Sequence, residues 1–446
     1  MKLFQKLLVA STAMSLITPL AAQASDTLNL EEMNNYSRGN SNVQRFDSKT
    51  FINEVSEDIA NIKGRLDGLE AQQNVFEAGA FSDTTTMDGK AIFDLGFLDY
   101  SESETSAEAL KFHYSYTLNL NSSFTGDDNL YVRLKTGNHT GWMTSSDHGG
   151  YLSSGKGNSD ALKVDKIWYQ FPVGDNNTVW VGPKIENYYM HGTSPSIYKP
   201  ITKQFTLGGN GNAYGASTST GAGWAYKADN GFAISSNVVS KSDNSVSAVT
   251  ESECTAYVKG SSTQGSYTNS GLLTDCTKTS WATQIGITKP QYSASVMINQ
   301  KFNGWSDGYF HTASADDALV TGGNHTAIGL RGWWRPTESG TATPEISVGY
   351  DTTQYDGVTS GTDSSDMWFV GLTWQDMFTA DDRIGLAFGQ PTKHDDETID
   401  PFAYELYYSY KANDSVTITP TIFGGQDREG DAEDVFGALL QTTFKF

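Results

Sequence analysis

The last fifteen residues of the chain, Ala432 to Phe446, alternate in character and end on an aromatic side chain. Successive side chains of a β-strand point to opposite faces, so Phe436, Leu440, Phe444 and Phe446 would share one apolar face. A terminal aromatic residue on such a strand is typical of β-barrels that span a bacterial outer membrane. Phe444 and Phe446 are therefore the candidate signal for barrel assembly.

The same two-residue period recurs from Asp88 onward in sixteen segments. They are 88–98, 110–121, 129–137, 161–172, 177–184, 221–229, 231–240, 279–288, 291–302, 325–335, 342–352, 366–375, 381–389, 401–411, 414–424 and 432–446. Short connections with turn residues, such as Asp229-Asn230-Gly231, alternate with long polar ones, such as 241–278. This rhythm predicts an all-β fold, a transmembrane antiparallel β-barrel of about 16 strands with both termini in the periplasm.

Composition agrees with a wall that meets lipid. Aromatic residues make up 12% of the chain, and charged residues make up 18%, below the roughly 25% of ordinary globular domains. The formal net charge of −22 excludes a nucleic-acid partner, because such proteins carry basic surfaces.

The N-terminal region divides into three predicted parts before the barrel at 76–446. Residues 1–24 resemble a signal peptide, with Lys2 and Lys6, an apolar stretch and a small-residue cleavage site. A polar linker follows at 25–49. Residues 50–75 carry apolar side chains at alternating spacings of three and four, which predicts a short periplasmic coiled-coil helix. A helix packed on the barrel or plugging it is the alternative.

Strand faces separate lipid-facing from lumen-facing side chains. In 129–137, Leu130 and Val132 alternate with Arg133 and Lys135. Arginine or lysine on the lipid face near the midplane would cost about 2–4 kcal/mol, so the basic residues belong in the lumen. The candidate pore-lining residues are Lys111, Arg133, Lys135, Arg331, Arg335, Arg383, Glu345 and Glu405. They mix both signs of charge, and the sign of any ion preference stays open.

The third long connection, 185–220, has the position and length of the loop that narrows sixteen-stranded porins. Its glycine-rich piece 208–212 lacks the following lysine of a phosphate-binding loop, and its glycines would allow tight turns in a confined lumen. The candidate constriction residues are Tyr188, Tyr189, Tyr198, Lys199, Lys203 and Tyr214.

Cys254 and Cys276 are the two cysteines, and both fall in one polar connection. In an exported protein they predict a disulfide within that loop. Closing such a loop of some twenty residues would stabilise it by about 3 kcal/mol in the chain-entropy model. No nucleophile–base motif or close metal-ligand set occurs in the sequence, which predicts neither an enzyme nor a cofactor or metal site.

Two short segments carry a family resemblance: residues 62–71, reading IKGRLDGLEA, and 76–82, reading FEAGAFS. Together with the signal peptide and the barrel ending in Phe446, they resemble the cyanobacterial Som-type, or iron-uptake, porins. That family is related to the carbohydrate-selective OprB-type porins. The resemblance implies a homotrimer whose narrow pores pass small inorganic ions, including iron. Som-type porins also carry a surface-layer-homology domain, for which 25–49 is too short.

The function predicted from the sequence is passive diffusion of small hydrophilic solutes and ions across the outer membrane. The partners expected are outer-membrane lipid and lipopolysaccharide, the barrel-assembly machinery and two further copies of the chain. The alternative is a structural envelope protein that links the outer membrane to the periplasmic layer through its coiled coil.

Overall fold

The structure is a computed structural model that describes residues 84–101, 109–145, 149–214, 218–241, 277–302, 305, 324–356, 363–395, 397–428 and 433–446. The predicted signal peptide, polar linker and coiled-coil helix lie outside these residues, as do Cys254 and Cys276. Short 3₁₀ segments occur in the described part at Gly141–Met143, Asn187–Met190 and Lys203–Gly208, the last of which is kinked at Thr206 and Leu207. No helix in the described ranges is both long and apolar enough to cross a membrane.

The described residues form sixteen antiparallel strands that close into one barrel. The strands are β1 Thr85–Tyr100, β2 Lys111–Ser122, β3 Asn129–Gly137, β4 Lys163–Val173, β5 Asn177–Glu186, β6 Thr218–Lys227, β7 Phe232–Ser240, β8 Thr279–Thr288, β9 Tyr292–Phe302, β10 His325–Trp334, β11 Glu345–Tyr355, β12 Ser364–Gln375, β13 Arg383–His394, β14 Phe402–Lys411, β15 Val416–Arg428 and β16 Glu433–Lys445. Each strand pairs with its sequence neighbours, and β1 pairs with β16 to complete the ring, with Leu95 opposite Leu440. The predicted sixteen-stranded barrel is confirmed.

Alternation along each strand gives the barrel an apolar outside and a polar inside. On β10, Ile328 and Leu330 lie outside with 41% and 48% of their surface exposed, whereas Arg331 points inward and is 3% exposed. The same alternation places Phe436 and Leu440 of β16 outside and Gln441 inside. Closure therefore satisfies the strand edges in the ring, and the outer face that meets lipid is mostly apolar.

Several strands are longer than the sequence pattern indicated. β11, β13 and β15 continue to Tyr355, His394 and Arg428, past the predicted ends at 352, 389 and 424. The added residues are mostly polar and do not alternate with apolar ones, so the sequence pattern predicted loops at these positions. Ring contacts inside the barrel mouth explain the extension of two of them, because Tyr355 stacks on His394 with centroids 5.5 Å apart.

Short turns close one end of the barrel, and two of them are organised by an aspartate. Asp128 accepts hydrogen bonds from the amides of Phe124 and Thr125 at 2.9 and 2.8 Å. Hydrogen bonds from the Tyr169 hydroxyl and from the turn lower the pKa of Asp128 well below its ordinary value. Asp382 similarly accepts from three amides of its own turn. These carboxylates stabilise the tight reversals between neighbouring strands.

Candidate pore constriction

The connection between β5 and β6, called L3 here and described over 187–214, lies inside the barrel. Its 3₁₀ turn at Asn187–Met190 leads the chain away from the wall. The amide of Gly192 then donates to Ser235 Oγ of β7 at 3.0 Å. The amide of Thr193 donates to Gln284 Oε1 of β8 at 2.9 Å. Because Ser235 and Gln284 are lumen-facing side chains, L3 occupies part of the channel cross-section.

Left-handed backbone conformations let L3 reverse direction against the wall. Gly208 and Gly209 have φ of +74° and +107°. A Cβ on Gly208 would lie 2.6 Å from Arg331 Cδ, so a side chain there would displace the loop. These glycines meet both the conformational and the steric demand for a tight turn in a confined space, as the glycine-rich pattern at 208–212 indicated.

Arg331 anchors the glycine-rich turn instead of facing the channel water. Its Nε donates to the carbonyl oxygen of Leu207 at 3.0 Å, and its guanidinium forms an ion pair with Asp351. The guanidinium carbon also lies 4.8 Å from the centre of the Tyr214 ring. Asp351 in turn accepts from the amide of Ala213 at 3.0 Å. Arg331 and Tyr214, predicted as pore-lining and constriction residues, are thus both buried beneath L3.

Glu405 of β14 holds the middle of L3 through four donors. Its Oε1 accepts from the Tyr198 hydroxyl at 2.8 Å and from the Ile201 amide at 3.2 Å. Its Oε2 accepts from the amide and the hydroxyl of Thr202 at 2.7 and 2.6 Å. The carboxylate is fully buried. A buried charge is tolerated when its lone pairs are satisfied, so Glu405 serves as the loop's anchor and has no direct contact with channel water.

The connection between β3 and β4, called L2 here, also folds inward. Trp142, Met143 and Leu152 pack in one buried cluster with Phe423 and Leu439 from the inner faces of β15 and β16. The sequence analysis did not predict this packing, although Trp142 and Met143 are adjacent apolar residues in a mostly polar connection.

A buried polar contact ties L2 to β1. Asp94 Oδ2 lies 2.8 Å from His139 Nε2, and the same oxygen accepts from the Ser154 hydroxyl at 2.7 Å. Asp94 Oδ1 accepts from Gln441 of β16 at 2.8 Å. The sequence reading did not single out His139 or Ser154. Two loops therefore share the lumen.

L2 and L3 are joined to each other. The amide of Ser153 donates to the carbonyl of Ile201 at 2.7 Å, and the amide of Lys203 donates to the carbonyl of Tyr151 at 2.7 Å. The Lys203 ammonium also lies 3.0 Å from the Tyr151 hydroxyl. These two backbone hydrogen bonds stabilise the part of L3 around Lys203 independently of Glu405.

An aromatic stack covers the lumen face of β3 and β4 where L3 begins. The rings of Tyr131 and Trp168 have centroids 4.2 Å apart, and Trp168 and Tyr189 are 4.6 Å apart. Tyr189 in turn stacks on Tyr188 at 4.5 Å. The ammonium of Lys166 lies 4.7 Å from the centre of the Tyr189 ring. Tyr188 and Tyr189 are therefore brought together, whereas Tyr198 lies apart at the Glu405 anchor.

Basic side chains line the same open side. Arg133 Nε lies 2.8 Å from Asp165 Oδ2, and Lys156 Nζ lies 3.0 Å from Asp165 Oδ1. Burial and the positive charges of Lys135 and Lys156 lower the pKa of Lys203 to about 7. Lys156 and Asp165 were not predicted as site residues, because their place depends on L2 and on a bulge in β4.

The remaining predicted pore-lining residues lie at several places on the inner wall. Lys111 is partly exposed, and its ammonium lies close to Gly141 of L2. Arg335 Nε lies 3.8 Å from Glu345 Oε1. Arg383 is partly exposed, and Lys199 of L3 is exposed.

The terminal aromatic residues lie on the outer face at the seam of the barrel. The Phe444 ring is 5.2 Å from that of Phe93, and Phe446 stacks on Tyr116 at 5.8 Å. The backbone of Phe446 pairs with Gly89 through two hydrogen bonds of 2.9 and 3.2 Å. The last residue thus joins the closing strand pair, in the place where an assembly signal would be read.

Comparison with known proteins places this geometry in context. The family model for carbohydrate-selective porins, OprB family, matches residues 47–446. A curated relative, the uncharacterized protein alr4550 of Nostoc sp., is 24% identical over 424 residues, covering 88% of this chain and 71% of its own length. A second, the uncharacterized protein sll0772 of Synechocystis sp., is 27% identical over 140 residues, 30% of this chain and 25% of its own.

Solved structures share the fold at low sequence identity. The high-pH structure of Pseudomonas putida OprB superposes with a TM-score of 0.57 and 10% identity, covering 84% of this chain and 96% of its own. The loop L8 deletion mutant of OmpT, a Vibrio cholerae outer membrane protein, superposes with a TM-score of 0.50 and 11% identity, covering 81% of this chain and 99% of its own.

Proposed function

Because the chain belongs to the OprB family of carbohydrate-selective porins, we propose that it is a passive diffusion channel for small hydrophilic solutes and inorganic ions. Porins of this family are outer-membrane channels and not enzymes. The observation that carries the proposal is the anchoring of L3 across the lumen by Glu405 and Arg331. A loop held at both places narrows a polar channel without closing the barrel.

A narrowed passive channel selects by size and charge and needs no energy source. Buried anchors keep L3 in one position, which gives a defined channel diameter. Aromatic and charged side chains lie together where the Arg133 guanidinium donates to the Tyr189 hydroxyl at 3.3 Å. Aromatic faces and fixed hydrogen-bonding groups suit polar organic solutes, and the family's name favours sugars among them. Iron would pass as one small hydrophilic solute, without a dedicated binding site.

The assembly proposed is a homotrimer in the outer membrane, with both termini in the periplasm and the long connections outside. The family resemblance and the short turns at the end where β1 begins support this orientation. Lipopolysaccharide would surround the long connections, and the assembly machinery would read Phe446. The proposed channel function does not depend on this assembly or orientation.

Planar bilayers test the proposed function directly. Purified, unboiled protein should give discrete conductance steps, with three levels for each inserted trimer. Liposomes containing the protein should swell in small sugars and not in large ones. A correctly folded barrel that gives neither steps nor swelling would refute passive diffusion and favour a structural role in the envelope.

A further inference from the structure

The two inward loops divide the lumen wall into a covered side and an open side. L3 covers the inner faces from β7 to β14 through contacts such as Ser235, Asp351 and Glu405. L2 covers β15, β16 and the far half of β1 through Leu152 and its cluster. The remaining side, formed by the start of β1 together with β2 and β3, keeps charged side chains exposed, whereas Lys166 and Trp168 of β4 are buried under the start of L3. Its charges therefore act on any solute that passes.

Acidic side chains of the described lumen wall are held in contacts at the level of the two loops. They are Asp94, Asp165, Glu186, Glu345, Asp351 and Glu405. Four of them meet a lysine or an arginine, and the other two are enclosed by hydrogen-bond donors and are fully buried. Asp88 lies towards the short-turn end, where it accepts from Asn119 at 2.7 Å. The negative charge of the wall is therefore largely compensated within it.

Basic side chains on the open side stay in contact with channel water. Lys90 is exposed, Lys135 and Lys203 are partly exposed, and Arg133 and Lys156 keep 19% and 29% of their side chains exposed. We call these five residues the basic ladder. Asp165, which contacts both Arg133 and Lys156, is a carboxylate among them. Five basic side chains against two carboxylates, Asp165 and the Asp88 that lies two residues from Lys90, leave this part of the channel with a net positive charge.

L3 places Lys203 in the ladder at a defined position. Glu405 binds Tyr198, Ile201 and Thr202, so it fixes the short segment that carries both Lys199 and Lys203. The contact of Lys203 with Tyr151 of L2 adds to this support. The loop thus brings positive charge to the wall that is already basic, and it holds that charge in one geometry.

Fixed charges in a narrowed channel act strongly on mobile ions. Clefts lined by one sign of charge, with low-dielectric walls, concentrate ions of the opposite sign. Screening extends over about 8 Å at physiological ionic strength, so an ion near the ladder feels its field. The whole chain carries a net charge of −22, which by itself would attract cations. The local field of the ladder has the opposite sign.

We propose that the channel prefers small hydrated anions, which the basic ladder and the loop lysines draw through the open side of the lumen. This inference rests on the proposed channel function and adds the class of solute. Charge rings on pore walls set ion preference in the same way in other channels.

The reversal potential of single channels in a KCl gradient measures this preference. The reversal potential of the wild-type channel should have the same sign as the equilibrium potential of chloride, which corresponds to an anion-to-cation permeability ratio above one. The double variant Lys135→Glu with Lys203→Glu should shift that potential towards the sign for potassium. Lys289→Glu in the turn after β8 is the matched control for each single reversal, Lys135→Glu and Lys203→Glu, because it makes the same change of two charge units away from the ladder. The control should keep the wild-type potential.

Each result separates this inference from the channel proposal. Conductance steps with a potassium-side or zero potential in the wild type would overturn the anion preference and leave the channel intact. An equal shift in the Lys289→Glu control would also overturn it, because the ladder would then have no special role. No conductance from a folded barrel would overturn both. The wild-type measurement decides the question even where the double variant fails to assemble.

Discussion

Glu405→Ala removes one of the anchors of L3, the one at its middle, while leaving the barrel strands intact. The substitution takes away the acceptor of four donors, two of which are the backbone amides of Ile201 and Thr202. Each amide left buried without an acceptor costs about 1–3 kcal/mol, or about 2–6 kcal/mol for the pair. Detachment of the loop lets both amides bond to water and avoids this cost.

The size of the effect follows from that range. Since 1.4 kcal/mol corresponds to a factor of ten, the population of detached L3 should rise between about thirtyfold and about twenty-thousandfold. Trypsin provides the assay, because detachment exposes the bond after Lys203. The bond after Lys199 resists trypsin because Pro200 follows it. Single-channel recordings should also show larger and noisier open levels, since L3 no longer keeps one position.

A matched control isolates the anchor from the charge change. Glu338→Ala removes an exposed carboxylate in the turn between β10 and β11 and should behave as the wild type. Heat-modified migration in gels should show that all three barrels are folded. If Glu405→Ala resisted trypsin at Lys203 and kept the wild-type conductance, the proposed anchoring of L3 would be wrong.

Three further predictions concern the charges of the lumen and the seam. Because the pKa of Lys203 is lowered to about 7, its charge is present below that pH and lost above it. Anion preference should therefore fall as pH rises through neutrality, and Lys203→Met should remove most of this pH dependence of the reversal potential. Arg331→Met leaves Asp351 charged and buried, which should cost about 3–5 kcal/mol and lower the midpoint of heat-induced unfolding. Adding Asp351→Leu should recover much of that loss, and an unchanged midpoint in the single variant would refute the role of the ion pair. Phe446→Ser should reduce the yield of folded protein in outer membranes, whereas a normal yield would show that the terminal aromatic residue is not read during assembly.

Local pattern was enough to predict the barrel wall. A period of two decides which face each side chain takes, and lipid outside requires that face to be apolar. Arg133 and Lys135 could therefore be assigned to the lumen from 129–137 alone. The terminal strand at 432–446 was assigned by the same reasoning. Polar ends such as that of β13 were missed, because polar residues continue the ladder without a change in hydrophobicity.

The position of L3 depended on contacts that a linear pattern does not contain. Glu405 and Thr202 are 203 residues apart in the chain, and Arg331 and Leu207 are 124 apart. Neither pair shares a period or a motif that would link its members. The sequence predicted an inward loop from its order and length, but the anchors on the wall came from the folded structure.

The sequence by itself determined the strands, their faces and the even count that closes the ring, because these follow from alternation at a spacing of two residues. Tertiary structure decided which lumen charges meet water. Arg331 and Arg133 look alike in their strands, yet L3 covers one and leaves the other 19% exposed. The physical reason is that burial depends on which distant loop packs over a residue, and the field in the channel depends on the charges that remain uncovered.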